Sequence, residues 1–213
     1  MENLVKTETF LISLLALFLT ETVGAFVLSF LVRHPTVAQI LLRSSQVSIF
    51  ILIFLGIEKN TASLGLTLKQ IVPGLKSGVI WSLLFGMAVF FVSALLFFIG
   101  KIPPDFLSLR FPQQAVSEIF LLLTLRGIVG PVAEEVFFRG ILYGFLRRWG
   151  FFPALFLSSF LFVFAHQSGG FPQIVGAVLF AAAYETEKNL MVPITIHILG
   201  NIALFLLSPM FAR

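Results

Sequence analysis

The chain has 213 residues, of which 58% are hydrophobic and 11% charged, with no cysteine and a formal net charge of +4. Ordinary soluble domains carry about 25% charged residues, so this composition, with its mean hydropathy of +1.04, excludes that class and points to a polytopic membrane protein. The small, dispersed positive charge excludes a nucleic-acid-binding patch, and the missing cysteines exclude disulfides, thiolate ligands and a thiol nucleophile.

The first apolar run, about residues 9–32, is long enough to span a bilayer core, which needs about 20 residues. It ends in Arg33-His34-Pro35 rather than a small-residue cleavage site, so it reads as a retained helix. Glu21 sits mid-span and reads as a packing polar residue facing the bundle interior. His34 precedes a proline, which pushes it out of helical geometry, so it reads as a loop histidine and not a ligand. A second span covers about residues 37–57, with Arg43 placed to snorkel toward an interface. Residues 58–76 carry Glu58, Lys59, Lys69 and Lys76 and read as a cytoplasmic interfacial segment. A third span runs from Ser77 to Ile99, with Trp81 near one boundary. Residues 100–112 form a polar, proline-rich loop.

An apolar helix then covers about Gln113–Val129, and a second runs from Pro131 to Trp149. The spacing leaves open whether these are one kinked helix or two. Three more apolar segments follow, at about residues 152–166, 172–186 and 190–208. The expected fold is an all-α, polytopic transmembrane bundle of about seven to eight membrane helices. It divides into N-terminal helices with an interfacial segment (residues 1–112) and a helical core (residues 113–213), as one membrane domain overall. With the amino terminus inside, Lys6, Lys59, Lys69, Lys76, Arg147, Arg148 and Lys188 fall on the cytoplasmic side. Arg33, Lys101, Arg110 and Arg213 fall outside.

The chemistry concentrates in Gly130-Pro131-Val132-Ala133-Glu134-Glu135-Val136-Phe137-Phe138-Arg139-Gly140. Pro131 suits the first turn of a helix because it has no backbone N–H to lose there. Glu135 and Arg139 are four apart and lie on one helical face, within pairing distance. Glu134 points about 100° away and is free for another partner. Ionisable groups in an apolar span read as functional by default. Two more polar groups interrupt apolar runs: His166, and His197 with Asn201 one turn later on the same face. Polar groups in a membrane need partners, and the simplest arrangement brings all six residues into one wet cavity. Glu134 and a histidine suffice to hold and deprotonate water. A second histidine and an asparagine amide suffice to donate to an oxyanion. Carboxylate and imidazole also bind zinc, with Glu134, His166 and His197 as the alternative ligands. The compact His-Glu-x-x-His spacing is absent.

Glu134-Glu135-x-x-x-Arg139, Phe162-x-x-x-His166 and His197-x-x-x-Asn201 together resemble the three motifs of the CPBP intramembrane proteases, also called the CAAX prenyl protease 2 or Abi family. The resemblance covers about residues 115–205, and Leu64-Gly65-Leu66 is similar to a short stretch that precedes the core in this family. It implies a glutamate-type protease with no cofactor, although such proteins have also been described as metalloproteases. By the resemblance, Glu134 and His166 activate water, His197 and Asn201 are oxyanion donors, and Glu135 and Arg139 order the site. The implied partners are the lipid bilayer and a membrane-anchored or lipidated protein or peptide, cut near its C-terminus. The implied location is a bacterial inner membrane. The other reading is a non-enzymatic bacteriocin-immunity or partner-binding protein on the same scaffold. A proton-coupled transporter would show repeated halves, and the sequence has none.

Overall fold

The computed structural model describes residues 4–101, 115–166 and 170–207. The expected loop 102–112, with Arg110, and the turn 167–169 lie outside them, as does Arg213. Among the described residues there are seven helices and no strand. They are α1 (Thr7–Leu31), α2 (Pro35–Ile57) and α3 (Leu68–Phe98), then α4 (Val116–Trp149), α5 (Phe151–Ala165), α6 (Phe171–Glu187) and α7 (Met191–Leu207). Four of them, α1 to α4, are long and apolar enough to cross a membrane. α5 is shorter, at 15 residues.

The apolar surface is spread over the outside of the bundle, as a lipid-facing protein requires: Phe30, Phe98 and Phe164 are each more than 70% exposed. The interior is built where α4 meets α2, α5 and α7. Phe50 and Phe54 of α2 pack with Val136, Ile141 and Tyr143 of α4 and with Leu190 before α7. A second cluster, Phe162, Ala177, Phe180 and Ile196, joins α5, α6 and α7.

The choice left open for residues 113–149, one kinked helix or two, is decided: from Val116 the chain is one continuous helix to Trp149. It passes Gly130-Pro131 by relaxing into π-type turns over Leu123–Val129 and again over Val136–Tyr143. Inserting such turns re-satisfies backbone groups that a proline would otherwise orphan. The interfacial segment is shorter than expected, because α3 already begins at Leu68. Lys69 and Lys76 are exposed while Gly74 and Gly78 are buried. The lysines therefore mark the outer face of a helix rather than a break in one. α3 has 31 residues, about 46 Å at 1.5 Å each, so its first turns reach beyond the hydrocarbon core.

The remaining connector tucks inward. Leu64 is buried, and Gly65 takes a left-handed conformation at φ 67°. Its carbonyl accepts from Leu190 N–H at 2.8 Å. A side chain at Gly65 would lie 3.0 Å from the Tyr184 ring and 3.1 Å from the Lys188 carbonyl. Glycine is required there both by φ and by space.

Arg43 does not snorkel. Its Nη1 donates to Glu21 of α1 and, at 2.8 Å, to Gln46 Oε1. Gln46 in turn donates to Thr20 and Glu21. Glu21 is thus a packing polar residue, as expected, at the π-type turn Thr20–Gly24. His34 stands in the α1–α2 turn as expected, and its Nε2 lies 2.7 Å from Glu118 at the start of α4. Trp81 Nε1 donates to Glu187 at 3.0 Å.

Candidate active site

α4 supplies three charges to the bundle interior, and their fates differ by helical angle. Glu135 and Arg139 face inward and are fully buried, with Arg139 Nη1 donating to Glu135 Oε1 at 3.0 Å. The four-residue spacing predicted this pair. Arg139 also donates from Nη2 to the Ala177 carbonyl at 3.1 Å. Its guanidinium lies over the Phe162 ring at 4.3 Å, a cation–π contact in a desolvated place. Phe162 therefore does more than fill space one turn before His166: it helps accommodate a buried cation.

Glu134 points to a wetter place, with 30% of its side chain exposed. Both expected histidines converge on it. His166 Nε2 is 3.5 Å from Glu134 Oε2, and His197 Nε2 is 3.8 Å from the same oxygen. The other ring nitrogens are anchored. His166 Nδ1 is 2.7 Å from the Phe162 carbonyl oxygen. A carbonyl only accepts, so that nitrogen carries the proton. His197 Nδ1 is 2.7 Å from Glu135 Oε1, which also accepts from Arg139. The network assigns both Nδ1 atoms as donors and turns both Nε2 atoms toward one carboxylate oxygen. Two imidazole lone pairs and a carboxylate oxygen repel one another unless a proton lies among them. The arrangement is suited to holding and passing one proton.

The structure thus brings together Glu134, Glu135, Arg139, His166 and His197 from α4, α7 and the end of α5. Asn201 lies one turn beyond His197. Its Nδ2 donates to the Arg126 carbonyl of α4 at 2.8 Å. A primary amide has two N–H groups, so one remains. α2, which carries Arg43, packs against α4, but the partners of Arg43 are Glu21 and Gln46.

A zinc ion would need the three ligands about 2.0–2.2 Å from one centre. Among the described residues, no group of three or more His, Asp or Glu side chains is arranged to hold a metal ion.

Residues 115–203 match the family described as type II CAAX prenyl endopeptidase, Rce1-like, and that stretch contains all six of these residues. This match and those to two bacterial relatives support a CPBP family protein. It is 32% identical over 156 residues to the membrane-embedded CAAX protease MroQ of Staphylococcus aureus, an alignment covering 67% of this chain and 62% of that protein. It is also 32% identical over 91 residues to YdiL of Bacillus subtilis, which carries the name of a membrane peptidase; 41% of this chain and 37% of that protein are covered. The chain therefore spans less than two thirds of the length of either CPBP relative. No solved structure matches. The long apolar helices and the two bacterial relatives identify this CPBP protein as an integral protein of a bacterial membrane.

Proposed function

We propose that the chain is an intramembrane endopeptidase that hydrolyses a peptide bond by Glu134- and His166-activated water. The substrate is membrane-anchored and is cut near its C-terminus. The observation that carries this reading is the convergence of two anchored histidines on one oxygen of a half-wet glutamate. The three polar atoms, 3.5 and 3.8 Å apart, can together hold a water set to their side. The description of the family as a CAAX prenyl endopeptidase and the name of the Staphylococcus relative, a CAAX protease, support the same reaction class.

In this mechanism water held by Glu134 and His166 gives its proton to Glu134 as its oxygen bonds to the substrate carbonyl carbon. The oxyanion accepts hydrogen bonds from a proton on His197 Nε2 and from the second amide N–H of Asn201. The C–N bond then breaks, and the proton on Glu134 passes to the leaving nitrogen. Glu135 and Arg139 hold His197 in place. With His197 protonated, the run Arg139, Glu135, His197, Glu134 alternates in sign and sums to zero, the least costly way to bury charges. General-base help of this kind is worth about 10²–10⁴-fold in rate.

The test uses purified wild type and Glu134→Ala in detergent, incubated with a library of C-terminal membrane-anchor peptides. Cleavage by wild type, abolished in the variant and unchanged by a strong chelator, is the expected result. Cleavage lost with chelator and restored by zinc would overturn the metal-free mechanism. Cellular function that survives Glu134→Ala would overturn the protease reading in favour of a binding role.

A further inference from the structure

Asn201 owes its anchor to a proline. The π-type stretch Leu123–Val129 ends in a bond that reaches five residues back, from Gly130 N–H to Leu125 O. The next donor in that register is residue 131, and the next acceptor is Arg126 O. Pro131 has no N–H. The acceptor is met instead from another helix, by Asn201 Nδ2 at 2.8 Å. Gly130 belongs to the same device. A Cβ there would stand 2.9 Å from Leu125 O, so only glycine lets the chain turn back this tightly before the proline.

We propose that Pro131 is a positioning residue for Asn201. By withholding its donor from the Arg126 carbonyl, it makes that carbonyl the anchor of the Asn201 amide and fixes the amide plane. The second N–H of Asn201 is then held in one direction for the oxyanion. This role rests on the protease reading of the site; the structural coupling of Pro131 to Asn201 does not. An alanine at 131 would restore a backbone donor, close the helix bond and release Asn201.

Two double-mutant cycles on the full chain in detergent test this. The first reads thermal midpoints and needs no activity. Asn201→Ala lowers the midpoint in the wild-type background and leaves it unchanged in the Pro131→Ala background. Pro131→Ser, which also restores a donor, gives the same result and replaces Pro131→Ala should that variant fold poorly. Equal midpoint losses in both backgrounds would overturn the proposal. The second cycle reads kcat and KM on the best-cleaved anchor peptide. Losing one oxyanion donor typically lowers kcat about 100-fold, so Asn201→Ala is expected near that value in the wild-type background. Pro131→Ala lowers kcat about 10-fold with KM unchanged, and adding Asn201→Ala to it has a reduced effect. Independent kcat effects, or a change confined to KM, would overturn the positioning role. If the midpoints couple but Glu134→Ala leaves cleavage intact, the protease reading fails and the positioning role falls with it, while the anchoring bond stands.

Discussion

Arg139 is the residue whose loss this site tolerates least in structural terms. It neutralises Glu135, bonds the Ala177 carbonyl and stacks on Phe162, all without solvent. Removing one member of a buried pair typically destabilises by about 3–5 kcal/mol. Arg139→Ala should destabilise the protein in detergent by an amount in that range, read as a lower thermal midpoint. Arg139→Lys should recover little, since a lysine has no planar fork with which to reach Glu135 and Ala177 together. At this scale the sequence was informative where the relevant geometry is local. The four-residue spacing foretold the Glu135–Arg139 pair and the divergence of Glu134. The bond from His197 to Glu135 was not legible, because it depends on the rotation of α7 against α4. The anchor of Asn201 was hidden for a further reason: it depends on a hydrogen bond that Pro131 cannot make, in a helical register that spacing rules for α-helices do not contain.

Between helices, the closest approach is that of α3 to the start of α7. A Cβ at Gly74 would stand 2.5 Å from Asn189 Oδ1 and 2.6 Å from Met191 Cβ; one at Gly78 would stand 2.5 Å from Thr195 Cβ. Small residues four apart let membrane helices meet backbone to side chain, where lipid offers no hydrophobic drive to associate. Gly78→Leu should therefore separate α3 from α7, destabilising the bundle by about 1–3 kcal/mol as for other overpacked contacts, and so lower the thermal midpoint. Gly86→Leu is the control. Nothing lies within 4 Å of a Cβ at Gly86, and the variant should behave as wild type. If both glycine variants behave alike, α3 is not held by this seam. The same helix shows what the charge density of residues 58–76 did not reveal: α3 already begins at Leu68, with Lys69 and Lys76 outside and the two glycines inside. A second tie between elements is Glu185, which accepts from Tyr143 at 2.6 Å and from Arg147 through Nε and Nη2. Glu185→Ala should loosen α6 from the end of α4, and faster amide exchange there would show it.

For the molecule as a whole, the long uninterrupted apolar runs identified an all-helical membrane bundle, because in lipid only helices and closed barrels satisfy their backbone and barrels do not need such runs. Lengths were less legible, since apolar runs do not reveal where a helix starts within them. The outcome is a bundle of unequal reach. α3 and α4 exceed the bilayer core, whereas the 15 residues of α5 cover about 22 Å of a core about 30 Å thick. The motif histidine stands where that short helix stops. Lipids beside α5 must shorten or tilt to meet it, each at a modest energetic cost per ångström of mismatch. The membrane next to the glutamate–histidine site is then thinner than elsewhere. On the proposed protease reading, water and a peptide substrate would enter from that side, and the cleavage rate would depend on lipid chain length. In vesicles of phosphatidylcholine differing only in acyl length, cleavage of an anchor peptide should fall several-fold from myristoleoyl to erucoyl chains. A rate indifferent to chain length would mean that α5 is matched by its neighbours and not by the lipid.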